Sequence, residues 1–249
     1  MMRALPAFAA LVLVLAAGGV HAQDHAALCQ VPPELATLED PLPRLARRIG
    51  ERPLNVVVIG SGSSAGAGTS DRSHAYPQVL QRELERLLGT PVTVESIAKR
   101  GATAADMLEV IRRDVVPRRP ALVIWQTGTA DAVRGVDINT FGEALERGFD
   151  ALHERGIDVV LMDMQYGPQT DALIKLRPYR SYMMWASRGR DVPLFRRHDL
   201  MNYWSERGVV DLSATTRADQ LKAADLVHEC IGRVLAAGIV QSVKQAQQK

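Results

Sequence analysis

Beyond residue 53 the chain alternates between short continuous apolar runs and longer stretches whose apolar residues recur every three or four positions. Leu54–Gly60, Val92–Ala98, Ala121–Gly128, Ile157–Gln165 and Val192–Arg196 are of the first kind and read as strands buried on both faces. Tyr76–Leu88, Ala104–Val116, Thr140–Arg155, Leu173–Ser187 and Arg217–Gln245 are of the second kind and read as helices, Leu173–Ser187 with the weakest pattern. Thr103 sits where an N-cap belongs. Strands separated by helices predict an α/β fold with one parallel sheet and helices on both faces. Ligands of such sheets lie at the carboxyl ends of the strands. The turns after Gly60, Ala98 and Gly128 therefore matter most.

The beginning of the chain follows a different pattern. Arg3 is followed by an apolar run from Leu5 to Ala17, too short to span a bilayer, and by the small-x-small triplet Val20-His21-Ala22. This reads as a signal peptide, 1–22, cleaved after Ala22, and implies a secreted protein, in a bacterium a periplasmic one. No second apolar segment of spanning length follows. Residues 23–53, rich in Pro and charge, are expected to wrap the surface, and residues 54–246 to form one domain. Net charge is +2 for the whole chain, and +1 once Arg3 is removed. A near-neutral domain gives no electrostatic case for nucleic acid. There is no CxxC and no Cys/His cluster, so neither a metal nor a cofactor is expected. The two cysteines, Cys29 and Cys230, are either a disulfide, as an oxidising compartment favours, or two unpaired thiols.

The stretch "VVVIGSGSSAGAGTS", Val56 to Ser70, carries the candidate chemistry. A strand that breaks into Gly, Ser and Ala can present a serine nucleophile or cradle a phosphate. Gly60-x-Gly62-x-x-Ala65 fits a dinucleotide fingerprint, with Glu95 as the ribose carboxylate. Two features count against it: export, and the nine residues, 67–75, that separate this turn from the next helix.

With "SIAKRGATAADML", "ALVIWQTGTADAVRG", "DVVLMDMQYGP", "VPLFRRHDLM" and "ADQLKAADLVHECIGRVLA" in order, the chain resembles the SGNH (GDSL-type) hydrolases, more closely a secreted proteobacterial branch. The resemblance implies a three-layer α/β/α flavodoxin-like sandwich with strand order 2-1-3-4-5, and metal-free hydrolysis of acyl or acetyl esters. It also implies a serine after the first strand, a histidine oriented by an Asp three residues earlier, and oxyanion donors from a Gly after the second strand and an Asn after the third. In this sequence those positions hold Gly62 for the nucleophile, Gly101 for the oxyanion glycine and Ala130 for the Asn. In the gap-free register the Asp is Asp219 and the histidine is replaced by Lys222, which also accounts for Cys230. Asp131 reads as a helix or turn cap.

Alternative catalytic residues remain. Ser63 or Ser64 could act with His228 and Asp225, with a remote histidine such as His74 or His198, or with Lys222. In the gap-free register His228 is an ordinary helix histidine. Two functional readings follow: a degenerate SGNH domain that binds an acylated or glycan ligand, or an active secreted esterase. Tyr179, Tyr182 and Trp185 recur at helical spacing, which points to core packing more than to sugar stacking. Sequence does not set the oligomeric state.

Overall fold

The structure, a computed structural model, describes residues 27–248. The signal peptide read at residues 1–22 lies outside them. Five parallel strands form the sheet: β1 (Leu54–Gly60), β2 (Val92–Ala98), β3 (Leu122–Gln126), β4 (Asp158–Met162) and β5 (Leu194–Phe195), in spatial order 2-1-3-4-5. The helices that concern the site are α1 (Tyr76–Leu88), α2 (Ala104–Val110), α3 (Thr129–Arg134), α4 (Ile138–His153), α5 (Pro168–Leu173), α6 (Arg177–Gly189), α7 (Arg197–Glu206) and α8 (Arg217–Gln247). Among the described residues no helix is long and apolar enough to cross a membrane.

Strand side chains alternate between two apolar layers, as the pleat requires. Val56, Val58, Leu122, Ile124, Val160 and Met162 face the layer built with α1, α7 and α8. Val57, Ile59, Val123, Trp125, Val159 and Leu161 face the layer built with α2, α4 and α6. Every residue of β3 and β4 is buried, which explains why these strands read as continuous apolar runs. Helix α8 lies tightly across α1 because Gly232 has no side chain: a Cβ there would come within 2.5 Å of Val79 Cβ.

Several elements depart from their sequence-derived bounds. The helix expected over 104–116 is α-helical only to Val110, then continues as one π turn, Ile111–Val115, and one 3-10 turn. Its start carries a full capping box between Thr103 and Asp106. The helix expected over 173–187 starts late, at Arg177, as α6, and a separate helix that was not anticipated, α5, precedes it; Pro168 and Pro178 each lie in a first turn. Helices α3 and α7 were not anticipated. The last helix runs on to Gln247.

The segment before β1 is anchored rather than loosely draped. Leu38, Leu42 and Leu45 are buried in the α8 layer. The carboxylate of Asp158, at the start of β4, accepts hydrogen bonds from the Arg44 and Leu45 amides, each at 2.8 Å. Arg48 donates to the carbonyls of Arg119 and Pro120, just ahead of β3. The segment therefore covers the amino ends of the strands. Its first described turn is bonded to α8 by the disulfide Cys29–Cys230, which spans 201 residues.

Closing a loop of that length stabilises the fold by at most about 5 kcal/mol in the chain-entropy account. Replacing both cysteines with alanine should lower the urea midpoint of unfolding and steepen the slope, because the unfolded chain without the crosslink is more expanded. Intact mass before and after reduction checks the bond itself; two alkylatable thiols in unreduced, denatured protein would contradict it.

Candidate functional site at the carboxyl edge of the sheet

A cavity of about 640 Å³ opens where all five strands end. Each strand sends a following residue into its wall: Ser61 and Gly62 after β1, Gly101 after β2, Ala130 after β3, Tyr166 after β4 and Arg197 after β5. Helix α8 closes the remaining side.

The first turn is organised by Gln126, the last residue of β3. Its buried side-chain carbonyl oxygen accepts from the Ser61 amide at 3.1 Å and from the Ser64 hydroxyl at 3.0 Å, with the Ser63 hydroxyl at 3.4 Å. Gly60 makes this close approach possible, since a Cβ there would fall 2.0 Å from Ser64 Oγ. Ser64 is buried against the Tyr76 hydroxyl at 2.7 Å and does not line the cavity. Ser63 does line it, and its Oγ accepts a hydrogen bond from Arg197 at 2.8 Å. Neither Ser63 nor Ser64 hydrogen-bonds a histidine or a lysine among the described residues.

Gly62 has right-handed helical backbone, φ −55° and ψ −48°. An added Cβ would meet only Ala67 Cβ, at 3.5 Å. The position thus has room for a side chain and needs no left-handed backbone. Gly101 does adopt positive φ, +73°. Ala130 brings a methyl group to the wall. The neighbouring Asp131 turns away and accepts from the Ala104 amide at 3.0 Å, capping the start of α2. Burial raises its pKa. The reading of Asp131 as a cap therefore matches its contacts.

Helical periodicity sorts the candidates on α8. Gln220, Ala223, Ala224, Val227 and His228 share the face that lines the cavity. Lys222 and Asp219 lie off that face: their side chains are 79% and 55% exposed and pair with each other at 3.2 Å. Of the gap-free register, then, Gly62, Gly101 and Ala130 meet at one cavity, and Asp219 and Lys222 stand outside it.

The alternative pair Asp225 and His228 is not formed either. Asp225 accepts from the Ser70 amide at 2.9 Å and hydroxyl at 2.5 Å, with His74 Nδ1 at 3.7 Å. His228 Nδ1 accepts from the Tyr76 amide at 3.0 Å. Burial, then the nearby Arg197 charge, pushes the His228 pKa down to about 4. A neutral imidazole whose Nδ1 accepts carries its proton on Nε2, so that nitrogen donates and has no lone pair with which to act as a base. His198 lies outside the cavity wall, 2.8 Å from Asp171. Burial disfavours its charged form, but the Asp199 and Asp171 carboxylates outweigh this and raise its pKa.

The dinucleotide alternative meets two physical obstacles. The α-helix that follows starts only at Tyr76, and the Gly60–Ala65 turn itself holds one three-residue 3-10 turn, Ser63–Ala65, in place of the α-helix N-terminus that would receive a pyrophosphate. Glu95 is held by Arg118 at 2.5 Å.

A model of the non-GDSL lipase-like family matches residues 28–245, nearly the whole described chain. The chain belongs to that family. No curated protein matches it in sequence. Solved structures similar to it include the lipase/acylhydrolase from Enterococcus faecalis, 19% identical with a TM-score of 0.61, covering 76% of this chain and 95% of that one. AlinE4, an SGNH-hydrolase family esterase, is 22% identical with a TM-score of 0.54, covering 67% and 87%. The esterase EstA from Pseudoalteromonas sp. is 16% identical with a TM-score of 0.53, covering 79% and 100%. At these identities the likeness establishes the SGNH/GDSL hydrolase fold, the five-stranded order anticipated above.

Within this non-GDSL lipase-like chain, the most consequential residue that sequence reasoning missed is Arg197. It is 1% exposed, its Nε has no hydrogen-bond partner, and it lines the cavity. A pair of arginines straight after the fifth apolar run, "LFRRHDLM", was the available signal.

Two outcomes are expected. Gly62→Ser should fold without loss, shifting stability by less than about 1 kcal/mol and leaning toward stabilisation, because the glycine's unfolded-state freedom is removed; a urea midpoint measures this. His228 stays neutral in the fold down to about pH 4, whereas its unfolded value is 6.5. Between those values the unfolded chain holds more protons, so stability is complete above about pH 6.5 and declines toward pH 4, by about 3 kcal/mol at most. His228→Asn keeps an acceptor for the Tyr76 amide and should flatten that part of the stability–pH curve; parallel curves for the two proteins would refute the assignment.

Proposed function

We propose that this exported member of the non-GDSL lipase-like family uses the cavity to bind an acylated or glycan ligand and does not cleave it. One observation carries the reading. Gly62 stands on the cavity wall at the position that the family resemblance gives to the nucleophile, and it offers no side chain. The hydroxyls beside it are already engaged by Gln126, Arg197 and Tyr76. Ala130 lacks the amide donor expected of an oxyanion hole. Lys222 points to solvent, and His228 is held in the tautomer that cannot accept a proton at its free nitrogen. Nucleophile and base act as a unit, so losing both removes far more than either alone. Export rests on the features of residues 1–22, and the Cys29–Cys230 disulfide is compatible with it.

The test is chemical. Protein beginning at residue 23 should hydrolyse short-chain aryl acetates no faster than a protein matched for surface lysines. It should show no burst and take no covalent label from a fluorophosphonate. Labelling abolished by Ser63→Ala or Ser64→Ala would replace this reading with that of an active esterase.

A further inference from the structure

Arg197 differs from Arg44 and Arg180, two other arginines drawn out of solvent. Arg44 pairs with Asp158, and Arg180 with Asp163 and Asp199. Arg197 is more buried than either, yet among the described residues no carboxylate lies within 4.0 Å of it. Its hydrogen bond goes to a neutral hydroxyl, Ser63 Oγ. Asp163 exerts some attraction from farther away, but its oxygens are taken by Arg180 and by the His198 amide. A guanidinium withdrawn from water without an opposite charge is among the most costly groups a protein can bury. Where such a group also lines a cavity, a ligand anion can supply the missing charge.

The rest of the wall is consistent with this. Arg100 and Arg134 line the same cavity, against a single carboxylate, Asp211. Arg134 is only loosely compensated, 3.9 Å from Asp106. His228 is uncharged. The same wall also carries apolar side chains: Val133, 58% exposed, with Met201, Leu212 and Val227. A volume near 640 Å³ suits a small molecule.

We propose that the cavity recognises an amphipathic oxyanion, its carboxylate or phosphate headgroup bound by Arg197 beside Ser63 and Gly62, and its apolar tail laid along Val133, Leu212 and Val227. This rests on the reading of the cavity as a ligand site and names the class of ligand. Arg197 supplies planar, paired donors matched to either headgroup. Ser63, held by Arg197, is in this account part of the headgroup site and not a nucleophile.

Titration calorimetry on the disulfide-intact protein tests it, with octanoate, octyl phosphate, octanol and octyltrimethylammonium as probes. At least one anion should bind about 10-fold or more tighter than octanol, and the cation more weakly than octanol. The tighter anion identifies the headgroup. Arg197→Gln should erase the preference for anions over octanol. Arg134→Gln should reduce it by about 2- to 5-fold, with the difference shrinking as salt is added. Should Arg197→Gln not fold, the probe series on the unaltered protein and on Arg134→Gln still decides. Equal binding of octanol and the anions, no binding of any probe, or an anion preference that survives Arg197→Gln would overturn the proposal. Ser63-dependent ester turnover would defeat the binding-only reading and leave the anion preference standing; loss of the preference without turnover defeats this inference alone.

Discussion

The side-chain oxygen of Gln126 sets the geometry of the whole carboxyl edge. It sits at the end of the central strand β3, buried, and gathers the Ser61 amide and the Ser64 hydroxyl onto one acceptor. That bond pulls the first turn down against the sheet, and the turn can settle there only because Gly60 is a glycine. The consequences spread outward. Ser64 is drawn inward to Tyr76, the Tyr76 amide reaches His228, and Ser63 is left facing Arg197. A buried amide satisfied by several donors is a rigid centre, because breaking any one bond leaves a polar group stranded in low dielectric.

The site is therefore an electrostatic arrangement more than a nucleophilic one. Its histidine is kept neutral by burial and by a neighbouring positive charge, and its serines are acceptors or donors in fixed networks. The acidic residues nearby face elsewhere: Asp131 caps a helix, and Asp225 holds the Ser70 turn. What remains on the cavity wall is a surplus of positive charge, Arg100, Arg134 and Arg197 against Asp211, beside apolar surface.

Much of this was legible in the sequence, and the exceptions have identifiable causes. The bounds of β1, α1 and β2 coincide with those read from periodicity, since these are long, strongly patterned elements. Strand β5 shrinks to Leu194–Phe195, set between Pro193, which has no amide to donate to the ladder, and the helix that starts at Arg197. Helix α7 went unseen because its buried face mixes Arg197 and His198 with Leu200, Met201 and Trp204, so no apolar stripe announces it. At the site, Gly62, Gly101 and Ala130 come together at one cavity because each follows a strand whose carboxyl end opens there. The α8 residues were harder. A string such as Asp-x-x-His fixes spacing but not which face of a long helix meets the cavity, and Asp219, Lys222 and Asp225 fall on the wrong faces.

The Cys29–Cys230 bond has a consequence for the order of events during synthesis. A chain emerging from its amino end exposes Cys29 when 201 residues still separate it from its partner. No early shortcut exists, since these are the only two cysteines in the sequence. The strap over the amino ends of the strands cannot be locked before residue 230 of α8 has been made. A chain cut short ahead of Cys230 is left with its strap unjoined.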